Sequence, residues 1–218
     1  MHVIDLGIAQ YLVGAVFMQL IESNFARADV PYVWMSRQAN IVHLRRRMRV
    51  YYKTCRRARG TMSAIGRLTL KMLGSTTKPR LAAKAAETRN LVPLLAQLCG
   101  ENREFLGDRA VHLIICCTEL LRFYQTMEAE PRQMTPGGLF ALQSSMSKFL
   151  VNWRAWGGHC VFKHHMAWHM VERASQHGNP RFYWTYADEQ ENRVMSQVAK
   201  IIACRQHFLR HIPAEGSP

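Results

Sequence analysis

Apolar residues recur at intervals of three and four along most of this chain of 218 residues. Such spacing places them on one face of an α-helix, and the sequence therefore predicts an all-α or nearly all-α bundle of six to seven helices. We expect a single helical domain over residues 1–212, followed by a short tail at 213–218. The predicted helices cover residues 6–24, 36–59, 79–90, 108–128, 136–156, 162–176 and 187–211.

Proline, capping residues and one alternating run refine this pattern. Pro93 is expected to break or kink the chain, because proline lacks the N–H that an internal helical residue donates. Asp108 and Thr135 are predicted to cap the helices that follow them, and Pro136 suits a first helical position. Apolar and polar residues alternate over residues 65–73, which predicts at most one short strand.

The charge of the chain restricts the partners that it can bind. Lys and Arg number 29 against 15 Asp and Glu, which gives a formal net charge of +14. Hydrophobic residues make up 48% of the chain, so we expect a folded core rather than a disordered basic tail. A positive charge of this size indicates a polyanionic partner, most simply nucleic acid, with an acidic protein or membrane surface as the alternative.

The stretch from Ser36 to Arg59 concentrates this charge on one predicted helix. Its apolar stripe consists of Ile41, Leu44, Met48, Tyr51, Tyr52 and Cys55. Its basic residues are Arg45, Arg46, Arg47, Arg49, Lys53, Arg56, Arg57 and Arg59. A solvated basic face is one interpretation, but no acid occurs between Val30 and Glu87, which favours a face that binds phosphates.

The N-terminal apolar run and the cysteines indicate where in the cell the protein is expected. The run at residues 11–17 is short and is interrupted by Gly14, so it predicts a buried helix rather than a membrane span. The six cysteines include no C-x-x-C pair and predict buried thiols in a reducing, intracellular compartment. We therefore expect no membrane partner.

A segment rich in histidine and tryptophan, residues 153–192, holds the side chains most capable of chemistry. His165 and His169 lie four apart, on one helical face, and Cys160 and His164 have the same spacing with His159 nearby. Such nitrogen and thiolate groups are the ligands that zinc prefers, and one interpretation of this spacing is a zinc site. The alternative is that the histidines hydrogen-bond and stack among the tryptophans.

Two further groups in this segment have a structural and a functional interpretation. Asp188, Glu189 and Glu191 stabilise the start of the last predicted helix through its dipole, or they bind Mg²⁺. The aromatic residues at 182–186 form a wall of the core, or they stack on unpaired bases.

Several short segments share their order and chemistry with a known family. Residues 1–8 place a histidine before a helix, and residues 163–169 form a histidine-rich helix. A Gly-Asn-Pro turn at 178–180 and an acid-bearing segment at 186–189 follow. Together these segments resemble the later part of DDE-type transposases of eukaryotic cut-and-paste elements, the CACTA-like group and its relatives.

The resemblance implies an RNase H-like fold with a helical insertion before the last catalytic acid. It places Glu189 on that acid, His2 on the histidine of the family's D-x-x-H segment, and Asn192 on a polar position one turn later. In the family, carboxylates hold two metal ions such as Mg²⁺, which activate the attacking oxygen and stabilise the leaving one. The aspartate of D-x-x-H would lie two residues before Met1, so we expect a fragment that offers one carboxylate of three and does not cleave DNA alone.

The sequence thus predicts a transposase-derived, DNA-binding protein that acts in the nucleus and is catalytically incomplete. One alternative is a non-catalytic helical scaffold that binds an acidic protein partner. Another is a small zinc-binding protein built on His159, Cys160, His164, His165 and His169.

Overall fold

The computed structural model of the protein describes residues 3–23 and 33–183. These residues form seven α-helices, and the described part of the chain contains no β-strand. The all-α prediction is therefore confirmed. The helices are α1 (Ala9–Glu22), α2 (Val33–Arg59), α3 (Ala85–Glu101), α4 (Ala110–Ala129), α5 (Pro136–Trp156), α6 (Phe162–Glu172) and α7 (Ala174–His177).

Short helical turns connect or extend these helices. A π-helical turn, Ile4–Ile8, runs directly into α1, and 3₁₀ turns lie at Leu70–Leu73, Arg103–Leu106 and Pro180–Tyr183. All seven helices belong to one compact unit, Met1–Phe182. The helix predicted at residues 187–211 and the tail lie outside the described residues, so a single domain reaching residue 212 stays a prediction.

The first helix is the centre of the bundle. It contacts α2, α3 and α4, and buried residues occupy nearly every position from Ala9 to Ile21. The stretch Ile4–Glu22 is long and apolar enough to cross a membrane, and 83% of its apolar window is buried inside the protein. Such burial is also expected of the core helix of a folded domain, which is what the interrupted apolar run predicted.

Helices α4 and α5 form an antiparallel pair joined by a short turn. His112 Nδ1 lies 2.8 Å from Asn152 Oδ1, and the Cys116 thiol donates to the carbonyl of Phe149 at 3.5 Å. Residues later in α4 thus contact residues earlier in α5, as in any antiparallel pair. Thr135 Oγ1 accepts the N–H of Gly138 at 3.0 Å, which confirms the predicted cap of α5. The turn residue Gly157, with φ of 96°, ends that helix.

Three of the six cysteines lie together in the core between α3 and α4. Cys99 Sγ lies 3.5 Å from Cys117 Sγ, and Cys116 is buried beside them. Burial raises the pKa of Cys116 and Cys117 well above the usual thiol value. These three match the predicted buried thiols, whereas Cys55 is half-buried and Cys160 is exposed.

The predicted strand at residues 65–73 is wrong. Residues 65–69 have no regular structure, and Leu70–Leu73 form a 3₁₀ turn. A strand needs a neighbouring strand to satisfy its backbone, and side chains of α2 take that role here. Tyr52 accepts the N–H of Ile65, and Arg45 donates to the carbonyl of Leu68.

Pro93 does not break the helix, and the helix before it starts later than predicted. Pro93 lies inside α3, where its neighbours Leu91, Val92, Leu94 and Leu95 are all buried. Burial of these side chains outweighs the single backbone hydrogen bond that proline removes. The helix predicted at 79–90 accordingly begins later, at Ala85, and continues past the proline.

Asp108 does not cap α4, because the residue at the N-cap position is Arg109 and it makes no side-chain capping bond. Two of the backbone N–H groups at that end are satisfied by turns instead, since Ala110 donates to the carbonyl of Gly107 and His112 to that of Arg109, each at 3.0 Å.

Gly14 allows the backbone of residue 80 to cross α1 at close range. A Cβ built on Gly14 would lie 2.6 Å from the amide nitrogen of Arg80, which is backbone and cannot rotate away. We expect Gly14→Ala to lower the free energy of unfolding by about 2 kcal/mol or more, measured by urea denaturation.

Gly100 supplies the matched control, because a Cβ there meets no atom within 4 Å and the residue lies in the last turn of α3. Gly100→Ala should leave stability unchanged or raise it by up to about 1 kcal/mol. Equal destabilisation by both substitutions would contradict the close approach at Gly14.

Candidate functional site

Helix α2 separates its apolar and basic residues as the sequence predicts. Ile41, Leu44, Met48 and Tyr52 are buried, while Tyr51 and Cys55 are half-buried at the edges of the stripe. Asn40 is buried near the start of the helix and donates to the carbonyl of Ile21 at 2.9 Å, which fixes α2 against the end of α1. The apolar stripe thus holds the basic face of α2 in one orientation.

The chain after α2 folds back along this helix and forms a wall beside it. Arg45 Nε donates to the carbonyl of Leu68 at 2.8 Å, and the N–H of Ile65 donates to the hydroxyl of Tyr52 at 3.4 Å. Ile65 and Leu68 are themselves buried. We call residues 64–68 the wall segment, because its side chains face those of α2 across a groove.

The groove between α2 and the wall segment has a volume of about 900 Å³. The apolar residues Met48, Ile65 and Leu68 are among those that line it. None of the described residues that line the groove is acidic. Six arginines and one lysine line it: Arg45, Arg46, Arg49, Lys53, Arg56, Arg57 and Arg67.

Most of the predicted phosphate-binding residues come together here, and two do not. Arg47 points toward α3 instead and forms an ion pair with Glu101. Helical spacing explains the difference, because Arg46, Arg49 and Lys53 recur at three and four while Arg47 is rotated by about 100° from Arg46. The side chain of Arg59, the last residue of α2, lies outside what the structure describes.

Arg67 belongs to the groove but was missed by sequence reasoning. It lies on the wall segment, across the groove from the basic face of α2. Its only sequence signal was its place within the acid-free stretch between Val30 and Glu87. Arg45 has a role that the sequence did not indicate either, since it binds the wall backbone as well as lining the groove.

The groove concentrates positive charge without internal compensation. Over the described part of the chain, no carboxylate pairs with Arg46, Arg49, Lys53, Arg56, Arg57 or Arg67. Burial, followed by the charges of Arg47 and Arg46, lowers the pKa of His43 on the same helix. Burial likewise raises the pKa of Tyr52 to about 12, so its hydroxyl stays neutral beneath the cations.

The predicted zinc ligands are divided between the core and the surface. His164 is buried, its ring stacks with Phe149 and Trp153, and its Nδ1 accepts the N–H of Val161 at 3.2 Å. His165 is one position further along α6, about 100° around the helix, and is exposed. The helical period therefore separates these two adjacent histidines.

His165 and His169 do meet on the surface of α6. Their Nε2 atoms lie 2.9 Å apart, and His169 Nδ1 lies 2.8 Å from Glu172 Oε2. Cys160 is exposed, and its thiol donates to the carbonyl of Gly158 at 3.8 Å. The described residues include no group of three or more His, Cys, Asp or Glu placed to hold a metal ion. The predicted five-residue zinc cluster is accordingly not formed.

The Gly-Asn-Pro turn has a structural role in the described part of the chain. Asn179 is fully buried, and its Nδ2 donates to the carbonyls of Met127 and Glu130, each at 2.9 Å. The turn therefore fastens the chain after α7 to the end of α4. Glu189, the predicted catalytic acid and Mg²⁺ ligand, lies outside the described residues, as do His2, Asp188, Glu191 and Asn192.

Comparison with protein-family models, with curated proteins and with solved structures gave no match for this chain.

The buried imidazole of His164 makes stability depend on pH. Burial lowers the pKa of His164 to about 4, whereas an unfolded histidine titrates near 6.5. The folded protein therefore binds fewer protons between these values, and the stability present above pH 6.5 is lost as the pH falls toward 4. We expect a loss of about 2 kcal/mol between pH 7.5 and pH 5, measured by urea unfolding.

His164→Phe should keep the stacked core and reduce this pH dependence, because phenylalanine cannot take up a proton. His165→Phe changes the neighbouring exposed histidine and should leave the dependence in place. If the free energy of unfolding of His164→Phe still falls by about 2 kcal/mol between pH 7.5 and pH 5, other titrating groups cause the pH dependence.

Proposed function

We propose that this protein binds nucleic acid through the groove between α2 and the wall segment. The observation that carries the proposal is the lining of the groove: six arginines and one lysine, with no acidic side chain among the described lining residues. Holding so many like charges together costs free energy in the unbound protein. A polyanion that enters the groove removes this cost, which makes the groove a favourable place for phosphates.

The chemistry of the lining favours contacts with the sugar-phosphate backbone. Guanidinium groups match phosphate oxygens in a bidentate geometry, and six of the seven basic groups are arginines. Phosphate contacts release counterions and give affinity that is independent of base sequence. We therefore propose binding with little sequence preference.

The transposase resemblance gives this proposal its cellular context. We propose that the chain is transposase-derived, that it acts on DNA in the nucleus, and that the basic groove contributes affinity rather than catalysis. Glu189 remains the residue proposed to hold Mg²⁺ if the chain works as part of a complete DDE enzyme. Sequencing of the transcript upstream of Met1 tests that part of the proposal separately from binding. An open reading frame that encodes the family's other catalytic acids would support it, and a stop codon just upstream would contradict it.

The first test of binding is its dependence on salt. We expect a fluorescently labelled oligonucleotide to bind at 50 mM KCl, with log K falling against log salt with a slope of about −3 to −5, as four to six phosphate contacts require. The measurement is fluorescence anisotropy over a KCl series. Absence of binding at 50 mM KCl, or affinity indifferent to salt, would contradict the proposal.

The second test separates the groove from net charge. Arg49→Ala combined with Arg56→Ala removes two cations that line the groove, and we expect about tenfold weaker binding and a salt slope reduced by about 2. Arg47→Ala combined with Arg103→Ala removes the same charge from outside the groove. That control should weaken binding by no more than about twofold, and equal losses in both variants would exclude the groove as the site.

A groove with this charge also fits an acidic protein segment, which is the alternative function. The two functions differ in what displaces a bound ligand. If nucleic acid is the natural ligand, an unlabelled oligonucleotide should displace a poly-glutamate peptide at lower concentration than the peptide displaces the oligonucleotide. The reverse order would favour the scaffold function.

A further inference from the structure

The wall segment restricts how α2 can approach a nucleic acid. Hydrogen bonds from Arg45 to Leu68 and from Ile65 to Tyr52 hold the segment against α2 across two turns of the helix. Asn90 of α3 holds the chain just before the wall segment, because its side-chain amide donates to the carbonyl of Ser63. The backbone carbonyl of Asn90 also accepts a hydrogen bond from the hydroxyl of Tyr51 on α2. The basic face of α2 therefore has the wall segment beside it and forms one side of a groove.

This arrangement is unfavourable for deep insertion of α2 into the major groove of a duplex. An α-helix with its side chains is about 10–12 Å across, and the major groove of B-form DNA is about 12 Å wide. A bare helix fits, but α2 together with the wall segment held beside its basic face is wider than that. A duplex would therefore meet the basic residues from the rim of the groove.

A single nucleic-acid strand needs less room than a duplex, and a groove of about 900 Å³ has space for part of one strand along α2 and the wall segment. The cations lie on both sides of that path, with Arg46, Arg49 and Lys53 on α2 and Arg67 on the wall. Proteins that bind single strands commonly track the backbone with such a positively charged groove.

We infer that the groove binds single-stranded nucleic acid, lying lengthwise between α2 and the wall segment, in preference to a duplex. The inference rests on the proposed nucleic-acid binding and specifies the form of the ligand. The aromatic ring in the lining, Tyr52, is only 6% exposed, so it offers no stacking platform for bases. Recognition is therefore through phosphates on both sides of the strand and is indifferent to base sequence.

Anisotropy titrations with three labelled ligands at one ionic strength test the inference. The ligands are a mixed-sequence DNA strand of 20 nucleotides without self-complementarity, the same strand annealed to its complement, and the RNA strand of the same sequence. We expect the single strands to bind at least about fivefold more tightly than the duplex. A difference between the DNA and RNA strands would identify which nucleic acid the groove prefers.

Arg67→Ala distinguishes a strand that lies inside the groove from a nucleic acid that binds only at its rim. Because Arg67 lies on the far side of the groove, its loss should weaken single-strand binding about fivefold and duplex binding by less than twofold. Arg103→Ala removes one exposed cation elsewhere and should change neither. Circular dichroism and thermal unfolding of each variant confirm that the fold is retained.

The possible results separate this inference from the proposal on which it rests. Duplex binding as tight as single-strand binding, or an equal effect of Arg67→Ala on both, would overturn the single-strand inference and leave nucleic-acid binding in place. Failure of all three ligands to bind at 50 mM KCl would overturn both.

Discussion

Burial of the apolar stripe of α2 is the interaction on which the groove depends. Ile41, Leu44, Met48 and Tyr52 are each at most 6% exposed, and burying a side chain of this size contributes about 1.5–3 kcal/mol. On its other face the same helix carries cations, and those that line the groove have no carboxylate partner among the described residues to offset their repulsion. The buried stripe fixes the helix in place although the like charges of its basic face repel one another. The free protein can therefore keep the groove that we propose as a polyanion site.

Polar contacts then convert one basic helix into a groove with two sides. Arg45 donates a hydrogen bond to the backbone of the wall segment, and the hydroxyl of Tyr52 accepts one from it. Those bonds bring Arg67 opposite the basic face, where it adds charge from a part of the chain without regular secondary structure. The same few residues therefore fix the position of the wall segment relative to α2 and, in the proposed function, the direction from which phosphates approach.

The helices could be predicted from the sequence because their apolar positions repeat with the helical period, and α2 and α5 agree most closely. The groove could not be predicted, because its second side is an irregular segment held by side-chain bonds from α2. The alternation at residues 65–73 was misleading for the same reason: Ile65, Leu68 and Leu73 are buried at uneven spacing, which is not that of a strand. Arg47 could have been separated from Arg46 and Arg49 by helical spacing alone, whereas nothing in the sequence marked Arg67.

The central claim is that a polyanion lies between α2 and the wall segment, and backbone amide NMR on the ¹⁵N-labelled protein tests it most directly. Titration with a short single-stranded oligonucleotide should shift the amide signals of residues 64–68 and of the groove-facing turns of α2, with the signals of residues 103–108 unchanged. Shifts confined to surfaces away from the groove, or spread evenly over all basic surfaces, would contradict the account.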